Sequence, residues 1–167
     1  MKKPIVLHLT DTHAHNNNLE LQESIWHQAV ATCKQLKIKT LVHGGDWVTN
    51  RKAQSLAVLE HLVWIKELIR VNDIELIGIT GNHDKADQES VFAYPNILYE
   101  ESFEIVDEIY QSTIKGVEFT FMSYFPETGS FKERFKQISV DKTKPSVGIF
   151  HQGLNGGLSH HTSTNNK

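Results

Sequence analysis

Four short clusters of polar side chains carry the residue types that bind metal ions in proteins. In chain order they are Asp11-Thr12-His13, Gly45-Asp46, Asn82-His83-Asp84 and His151. Carboxylate and imidazole groups with an amide oxygen, and without a thiolate, suit Mn²⁺, Fe²⁺ or Zn²⁺. Alone, the D-x-H pair, the G-D pair and the single histidine are each more often ordinary polar residues, whereas G-N-H-D marks a functional site about as often as a turn. The interpretation therefore depends on where the chain places all four.

The spacing within the first two clusters favours joint binding of an ion. Residues i and i+2 of an extended segment point the same way, so Asp11 and His13 are expected to bind one ion together. Gly44 and Gly45 allow a tight turn that brings the Asp46 carboxylate close to this pair. The two oxygens of that carboxylate can bridge two cations.

Each cluster follows a segment whose apolar residues predict a buried strand. These segments are residues 5–10, 40–43, 74–80 and 146–150, and helical periodicity predicts helices at 19–37 and 53–71. Strands that alternate with helices predict an α/β fold with a parallel sheet and right-handed crossovers. Ligands collect at the carboxyl ends of strands in such sheets.

The second half of the chain has a different pattern. Residues 103–110 and 117–124 flank Lys115-Gly116 and predict an antiparallel pair of strands, followed by a short helix at 130–138. A chain of 167 residues can bury a single core, so we predict one domain over residues 1–158 and a polar tail over 159–167.

Composition restricts the class of function and the compartment. A net charge of −3 does not give the basic surface of a passive nucleic-acid binder, so bound cations would have to attract a phosphate substrate. The single cysteine, Cys33, fits a reducing compartment. The first apolar run is too short for a signal peptide or a membrane span. These features predict a cytoplasmic protein without a membrane partner.

The motifs D-T-H, G-G-D, G-N-H-D and a later strand-terminal histidine resemble, over residues 4–151, the first four motifs of the calcineurin-like metallophosphoesterases. The resemblance implies an α-β-β-α sandwich with mixed sheets, and two divalent cations, Mn²⁺ before Fe²⁺ or Zn²⁺. It implies that Asp11, His13 and Asp46 bind the first ion, and that Asp46, Asn82 and His151 bind the second.

The same resemblance assigns the acid of the reaction. His83 would protonate the leaving oxygen, with Asp84 as a supporting partner behind the ligands. Two cations about 3.5–4 Å apart can stabilise the attacking and leaving oxygens of an in-line displacement. A histidine side chain is suited to proton donation near neutral pH.

Within this family the chain resembles the SbcD-type nucleases of double-strand-break repair and recombination. The resemblance rests on IVLHLTDTHAHNNN, on HGGDW before a long helix, and on HQGLNG. It implies an exonuclease or endonuclease that acts on double-stranded DNA ends, with an SMC-like ATPase and a homodimer as expected partners. Two alternatives stay open, a phosphodiesterase or phosphatase for small phosphoesters and an inactive metal-binding remnant.

The fifth motif of the family, G-H-x-H, is absent from the 167 residues. Its two histidines complete the two metal sites in the family. His160 and His161 are adjacent and would point to opposite faces of an extended segment. The sequence therefore predicts a truncated or split nuclease with an incomplete second sheet and weakened metal binding.

Some conspicuous residues have simpler interpretations. Trp26, Trp47 and Trp64 could stack on bases, and Lys or Arg residues at 132–144 could follow a phosphate backbone. Helix packing is the simpler prediction for Trp26 and Trp64, and a solvated face for the basic residues. Trp47 stays open. His15 and His43 are candidates for contacts behind the ligands.

Overall fold

The computed structural model describes residues 3–153. Its first sheet contains β1 (Val6–Leu9), β2 (Thr40–His43), β3 (Glu75–Gly78) and β4 (Phe103–Ile105), all parallel and in this order. Leu9 pairs with His43, and His43 pairs with Gly78. The carboxyl ends of the first three strands therefore lie side by side, as the predicted parallel sheet requires.

Two helices cover one face of this sheet, α1 (Leu19–Leu36) and α2 (Leu56–Val71). The chain leaves α1 at Lys37, which adopts a left-handed conformation and closes the helix end. α2 begins three residues later than predicted because the Ser55 hydroxyl accepts a hydrogen bond from the Val58 N–H and caps the helix. Neither helix, nor any other in the described part of the chain, has the length and apolarity to cross a membrane.

The second sheet contains β5 (Ile109–Ile114), β6 (Val117–Met122) and β7 (Ser146–Phe150). β5 and β6 form an antiparallel hairpin, and β7 lies parallel to β6. The mixed sheets of the prediction are confirmed.

Two details of the predicted second half are wrong. Residues 103–110 do not form one strand, because the chain ends its pairing with β3 at Ile105 and crosses into the second sheet before Ile109. The apolar pattern continues where the chain passes from the first sheet to the second, so the sequence does not indicate that the strand ends there. β7 is not a buried strand either. It pairs with β6 on one side, and most of its residues are exposed.

The core has two layers, one on each face of the first sheet. Side chains such as Leu41 and Leu76 pack against α1 and α2, whereas Val42 and Ile77 pack against Phe119 and Phe121 of the second sheet. This division follows the alternation of side chains along a strand. A short helix, α3 (Phe131–Phe135), forms the last layer, and its Phe135 ring lies 5.8 Å from the Phe150 ring. The predicted α-β-β-α order is therefore present, with a small outer helical layer in residues 3–153.

Candidate metal centre

The loops that follow β1 and β2 continue side by side beyond the strands. Gly44 donates to the Leu9 carbonyl at 2.7 Å, Asp11 to the Gly45 carbonyl at 3.0 Å, and His13 to the Asp46 carbonyl at 3.0 Å. These backbone hydrogen bonds hold Asp11 and His13 against Asp46.

Three of the predicted ligands have left-handed backbone conformations. φ is 54° at Asp11, 49° at His13 and 55° at Asp46. Residues other than glycine rarely adopt this region, and such strain concentrates at functional sites. The prediction that Asp11 and His13 converge because the chain is extended is therefore wrong in its reason. Their side chains still converge, with His13 Nε2 3.8 Å from Asp11 Oδ1.

The Asp46 carboxylate lies between two histidines. Its Oδ2 is 3.4 Å from His13 Nε2, and its Oδ1 is 3.4 Å from His151 Nε2. The His83 backbone N–H donates to Oδ1 at 3.0 Å. Ligand atoms of Asp11, Asp46 and His151 all lie within 4.8 Å of one another. β7 of the second sheet thus delivers His151 to a centre built by the first sheet.

His151 has its tautomer set by the backbone. Its Nδ1 donates to the Gly44 carbonyl at 2.8 Å, which leaves Nε2 facing Asp46. Burial acts to lower the pKa of His151, but hydrogen bonds with Asp46 and the Gly44 carbonyl outweigh it and raise the pKa to about 9. Burial acts to raise the pKa of Asp46, but the hydrogen bonds from His151 and the His83 N–H leave it lowered.

Two glycines allow the loops to approach this closely. A Cβ at Gly81 would collide with the carboxylate and the backbone of Asp46. Gly45 has a φ of 95°, and a Cβ there would lie 2.7 Å from His151 Nδ1. Both positions therefore need the absence of a side chain.

Asp84 is buried, and its carboxylate binds backbone amides. It accepts from the Gly81 N–H at 2.7 Å and from the Val48 N–H at 3.1 Å, so it joins the loops that follow β3 and β2. Burial raises the pKa of Asp84 to about 7. The sequence placed Asp84 as a partner of His83, but in residues 3–153 the carboxylate makes no hydrogen bond with the His83 imidazole. Asp84 instead stabilises the site by binding backbone amides of the two loops.

His83 lies at the exposed side of the centre. Its Nδ1 is 2.7 Å from the Thr49 carbonyl, and its Nε2 is 3.3 Å from Arg51 Nη2. Since a carbonyl only accepts and a guanidinium only donates, Nδ1 carries the proton and Nε2 is the acceptor. The His83 and His13 rings meet edge to face, with centroids 5.0 Å apart.

Asn82 lines a cavity at the centre. The cavity has a volume of about 460 Å³, and Asn82 lines it together with Asp11 and His151. Other lining residues include His8, Thr10, Tyr124 and Phe150. A molecule in this cavity would therefore contact residues of both predicted ligand sets.

His43 is fully buried behind the centre and contacts both ligand loops. Its Nδ1 accepts from the Gly45 N–H at 3.3 Å, and its Nε2 lies 3.1 Å from the Thr12 hydroxyl. Its ring stacks on Trp47 with centroids 3.7 Å apart. Burial lowers the pKa of His43 well below its ordinary value, so the imidazole stays neutral. The structure thus places His43, unlike His15, between the two loops.

The sequence profile described as Calcineurin-like phosphoesterase matches residues 5–167. The chain belongs to the calcineurin-like phosphoesterase family. No curated protein matches its sequence. Among solved structures, the nuclease MPE of Pseudomonas putida is similar at a TM-score of 0.47 and 18% identity, over 86% of this chain and 59% of that chain. The present chain therefore spans less than two thirds of that neighbour.

The side chains of this candidate centre fit a divalent cation. The donors are carboxylate oxygens and imidazole nitrogens, and His151 Nε2 is oriented by the backbone contact of its other nitrogen. His13 Nε2 faces the carboxylates of Asp11 and Asp46, so it is the nitrogen positioned to share an ion with them. The candidate ligands His160 and His161 lie outside the described residues.

The sequence missed one residue at the centre, Arg51. Its contact with His83 spans 32 positions of sequence, and an arginine in a polar loop carries no distinctive pattern. Trp26 and Trp64 follow the helix-packing prediction, and Trp47, which the sequence left open, is also buried. Trp26 is fully buried, Trp64 packs against the helical core, and Trp47 is buried with its Nε1 donating to the Ile79 carbonyl at 2.9 Å.

Several of the basic residues of the second half have acidic partners. Arg134 pairs with Glu108 at 2.8 Å, and Lys144 pairs with Glu118 at 3.0 Å. These pairs favour a solvated face over a surface that binds a phosphate backbone.

Proposed function

We propose that this protein is a metal-dependent phosphodiester hydrolase that uses two divalent cations, with Mn²⁺ as the preferred metal. The observation that carries the proposal is the position of Asp46, which turns one carboxylate oxygen toward His13 and the other toward His151. A carboxylate between two imidazoles is the arrangement that a bridging ligand of two ions needs.

Each ion would take its ligands from different loops. Asp11, His13 and Asp46 would hold one ion, and Asp46, Asn82 and His151 would hold the other. Two such ions supply Lewis-acid stabilisation to the attacking and leaving oxygens at phosphorus. The protein supplies the geometry, because the backbone hydrogen bonds between the loops after β1 and β2 fix where the carboxylates lie.

His83 would supply the proton that the leaving oxygen needs. Its Nδ1 is held by the Thr49 carbonyl, so the ring is oriented with Nε2 toward solvent and toward Arg51. A proton carried on Nε2 would reach a leaving oxygen on the exposed side of the centre. This role requires no contact between His83 Nε2 and an ion.

We further propose that the substrate is DNA and that the protein is the nuclease subunit of an SbcCD-type system for double-strand-break processing. The support is the sequence resemblance of the first motif, of HGGDW and of HQGLNG. Double-stranded ends and an SMC-like ATPase would then be partners, with a homodimer as the expected assembly. The cytoplasm would be the compartment, which suits the lone buried Cys33.

A small phosphoester is the second candidate substrate. The cavity of about 460 Å³ beside Asp11 and His151 has the size of a small-ligand site. Arg134 and Lys144 are paired with carboxylates, which weakens the case for a long polyanion.

The activity is tested with bis-p-nitrophenyl phosphate in the presence of Mn²⁺. Substrate class is tested next by comparing linear double-stranded DNA with nucleoside monophosphates. Hydrolysis of the DNA supports the nuclease, and hydrolysis of the nucleotides alone supports the second candidate. No hydrolysis of any of the three would leave a metal-binding protein without turnover.

Asp46→Asn tests the bridging role directly. Since the substitution removes the negative charge shared by both ligand sets, we expect the bound Mn²⁺ to fall from two ions toward none and hydrolysis to be nearly abolished. Asp73→Asn is the matched control, because Asp73 is an exposed carboxylate paired with Lys39. Metal analysis and the rate with bis-p-nitrophenyl phosphate measure both effects. Two bound ions and a normal rate in Asp46→Asn would contradict the dinuclear proposal.

A further inference from the structure

The cavity at the metal centre has an aromatic part that the proposed ligands do not use. Its lining combines polar residues, among them Asp11, Asn82 and His151, with the aromatic residues Tyr124 and Phe150. None of the described residues that line the cavity is a lysine or an arginine. A group that entered it beside a metal-bound phosphate would therefore meet aromatic surface, and no side chain that attracts a second anion.

Tyr124 follows β6 and is held at the cavity through its backbone. Its N–H donates to the Thr80 carbonyl at 2.8 Å, and its carbonyl accepts from Lys85 Nζ at 2.7 Å. Thr80 and Lys85 flank residues 81–84, the loop after β3 that carries Asn82. The backbone of Tyr124 is therefore bound to both ends of this loop, which fixes its position relative to Asn82.

Lys85 is a fully buried lysine whose ammonium group contacts this segment. Its Nζ lies 3.8 Å from the centre of the Phe125 ring, and the Arg134 guanidinium lies at the same distance from that ring. Burial of an ammonium group costs free energy unless its contacts compensate for the lost water. The contacts of Lys85 are with residues 124 and 125, so a buried charge holds the segment that brings Tyr124 to the cavity.

We propose that Tyr124 binds a nucleobase of the substrate by stacking, with the phosphate of the same nucleotide at the metal ions. The inference deepens the proposed function and rests on it, because the phosphate must occupy the same centre. Every base has a π-face on which an aromatic ring can stack, so the site is expected to accept purines and pyrimidines. Both a mononucleotide and the terminal nucleotide of a DNA strand carry such a base.

The experiment measures the binding of AMP and of ribose 5-phosphate to the Mn²⁺-loaded protein by calorimetry, with phosphate release monitored in the same samples. The two ligands share the ribose phosphate and differ in the base, so the ratio of their Kd values isolates the contribution of the base. In the wild type we expect AMP to bind about 10-fold more tightly or better, the gain expected for one stacked base.

Four variants separate the ring from its surroundings. Tyr124→Leu removes the ring, so its Kd for AMP should rise toward that for ribose 5-phosphate, which should itself stay unchanged. Tyr124→Phe keeps the ring and should restore the preference for AMP. Lys85→Met keeps the ring but loses the hydrogen bond to the Tyr124 carbonyl, so the preference should fall less than in Tyr124→Leu. Tyr99→Leu is the matched control, on an exposed tyrosine that does not line the cavity.

A second comparison identifies the source of the base. Blunt duplex DNA is titrated with an ordinary and with an abasic terminal nucleotide, in the wild type and in Tyr124→Leu. A preference for the ordinary end that Tyr124→Leu loses supports the terminus of a DNA strand as the ligand. A ring-dependent preference confined to AMP supports a mononucleotide.

Two outcomes would overturn the inference. One is a wild type that binds AMP no better than ribose 5-phosphate and does not distinguish the two duplex ends. The other is a preference for the base that Tyr124→Leu keeps in full, because another part of the cavity would then bind it. Absence of turnover in a wild type whose binding of AMP depends on the ring would refute the proposed hydrolase and would still support the role of Tyr124.

Discussion

At the scale of single residues, an ion that binds between His151 and Asp46 must replace the proton on His151 Nε2. The two side chains lie 3.4 Å apart, and the pKa of His151 is raised to about 9 because Asp46 and the Gly44 carbonyl outweigh the effect of burial. A proton on His151 Nε2 occupies the position from which this nitrogen would bind a cation. Metal binding must therefore release that proton.

This competition predicts a pH dependence of metal affinity. Below a pKa of about 9 His151 is mostly protonated, so the Mn²⁺ affinity is expected to rise with pH, by up to about tenfold per unit, and to level off as the pH passes that pKa. Titration calorimetry between pH 6.5 and 8.5 in two buffers of different ionisation heat measures the affinity and the released proton. His151→Asn should bind more weakly and lose most of this slope. An affinity of the wild type that does not change with pH would contradict the assignment of His151 as a ligand.

At the scale of elements, strand positions and their polar ends were predictable from sequence. β2 was predicted at its observed residues, and Gly81 and Asp46 were expected where strands end. The left-handed backbone of Asp11 and His13 was not predictable, because it arises from hydrogen bonds to the loop after β2. The break between β4 and β5 was missed for the same kind of reason, since sheet membership depends on partners distant in sequence.

His43 is the element-scale link between the two ligand loops, and its removal gives a prediction. His43→Phe keeps the ring stacked on Trp47 but loses the hydrogen bonds with Thr12 and Gly45. We expect a weaker Mn²⁺ affinity, by roughly 10–100-fold, as for other residues that orient ligands from behind.

The control for this variant is His61→Phe, which also removes a buried imidazole but on α2, outside the ligand loops. Mn²⁺ affinity and the melting temperature without metal are measured for both. Equal Mn²⁺ affinities in the two variants would show that His43 only fills space.

At the scale of the whole molecule, the metal centre connects the two sheets. Asp11 and Asp46 follow strands of the first sheet, whereas His151 follows β7 of the second. An ion bound by all three would therefore add a link between layers that already share apolar contacts, such as those of Val42 and Phe121, and a hydrogen bond from the Tyr124 N–H to the Thr80 carbonyl.

Metal binding should accordingly stabilise the entire fold. A ligand present at 100 times its Kd stabilises the native state by about 2.7 kcal/mol. For a domain of this size that corresponds to a rise in Tm of roughly 5–10 °C. Calorimetric melting with Mn²⁺ and with EDTA measures the shift. Asp46→Asn should lose most of it, and a shift of the same size in that variant would place the stabilising ion elsewhere.

The pairing of β7 with β6 also sets an order of events during folding. Asp46 and His151 are about 100 residues apart in sequence, and contacts of such separation form late because the intervening chain must first be ordered. The first sheet and its two helices can assemble from nearer segments. On a ribosome the bridging carboxylate would thus wait, without its second imidazole, until β7 had been synthesised and had joined the sheet. Metal loading would then follow folding, and a bound ion would indicate that both sheets are in place.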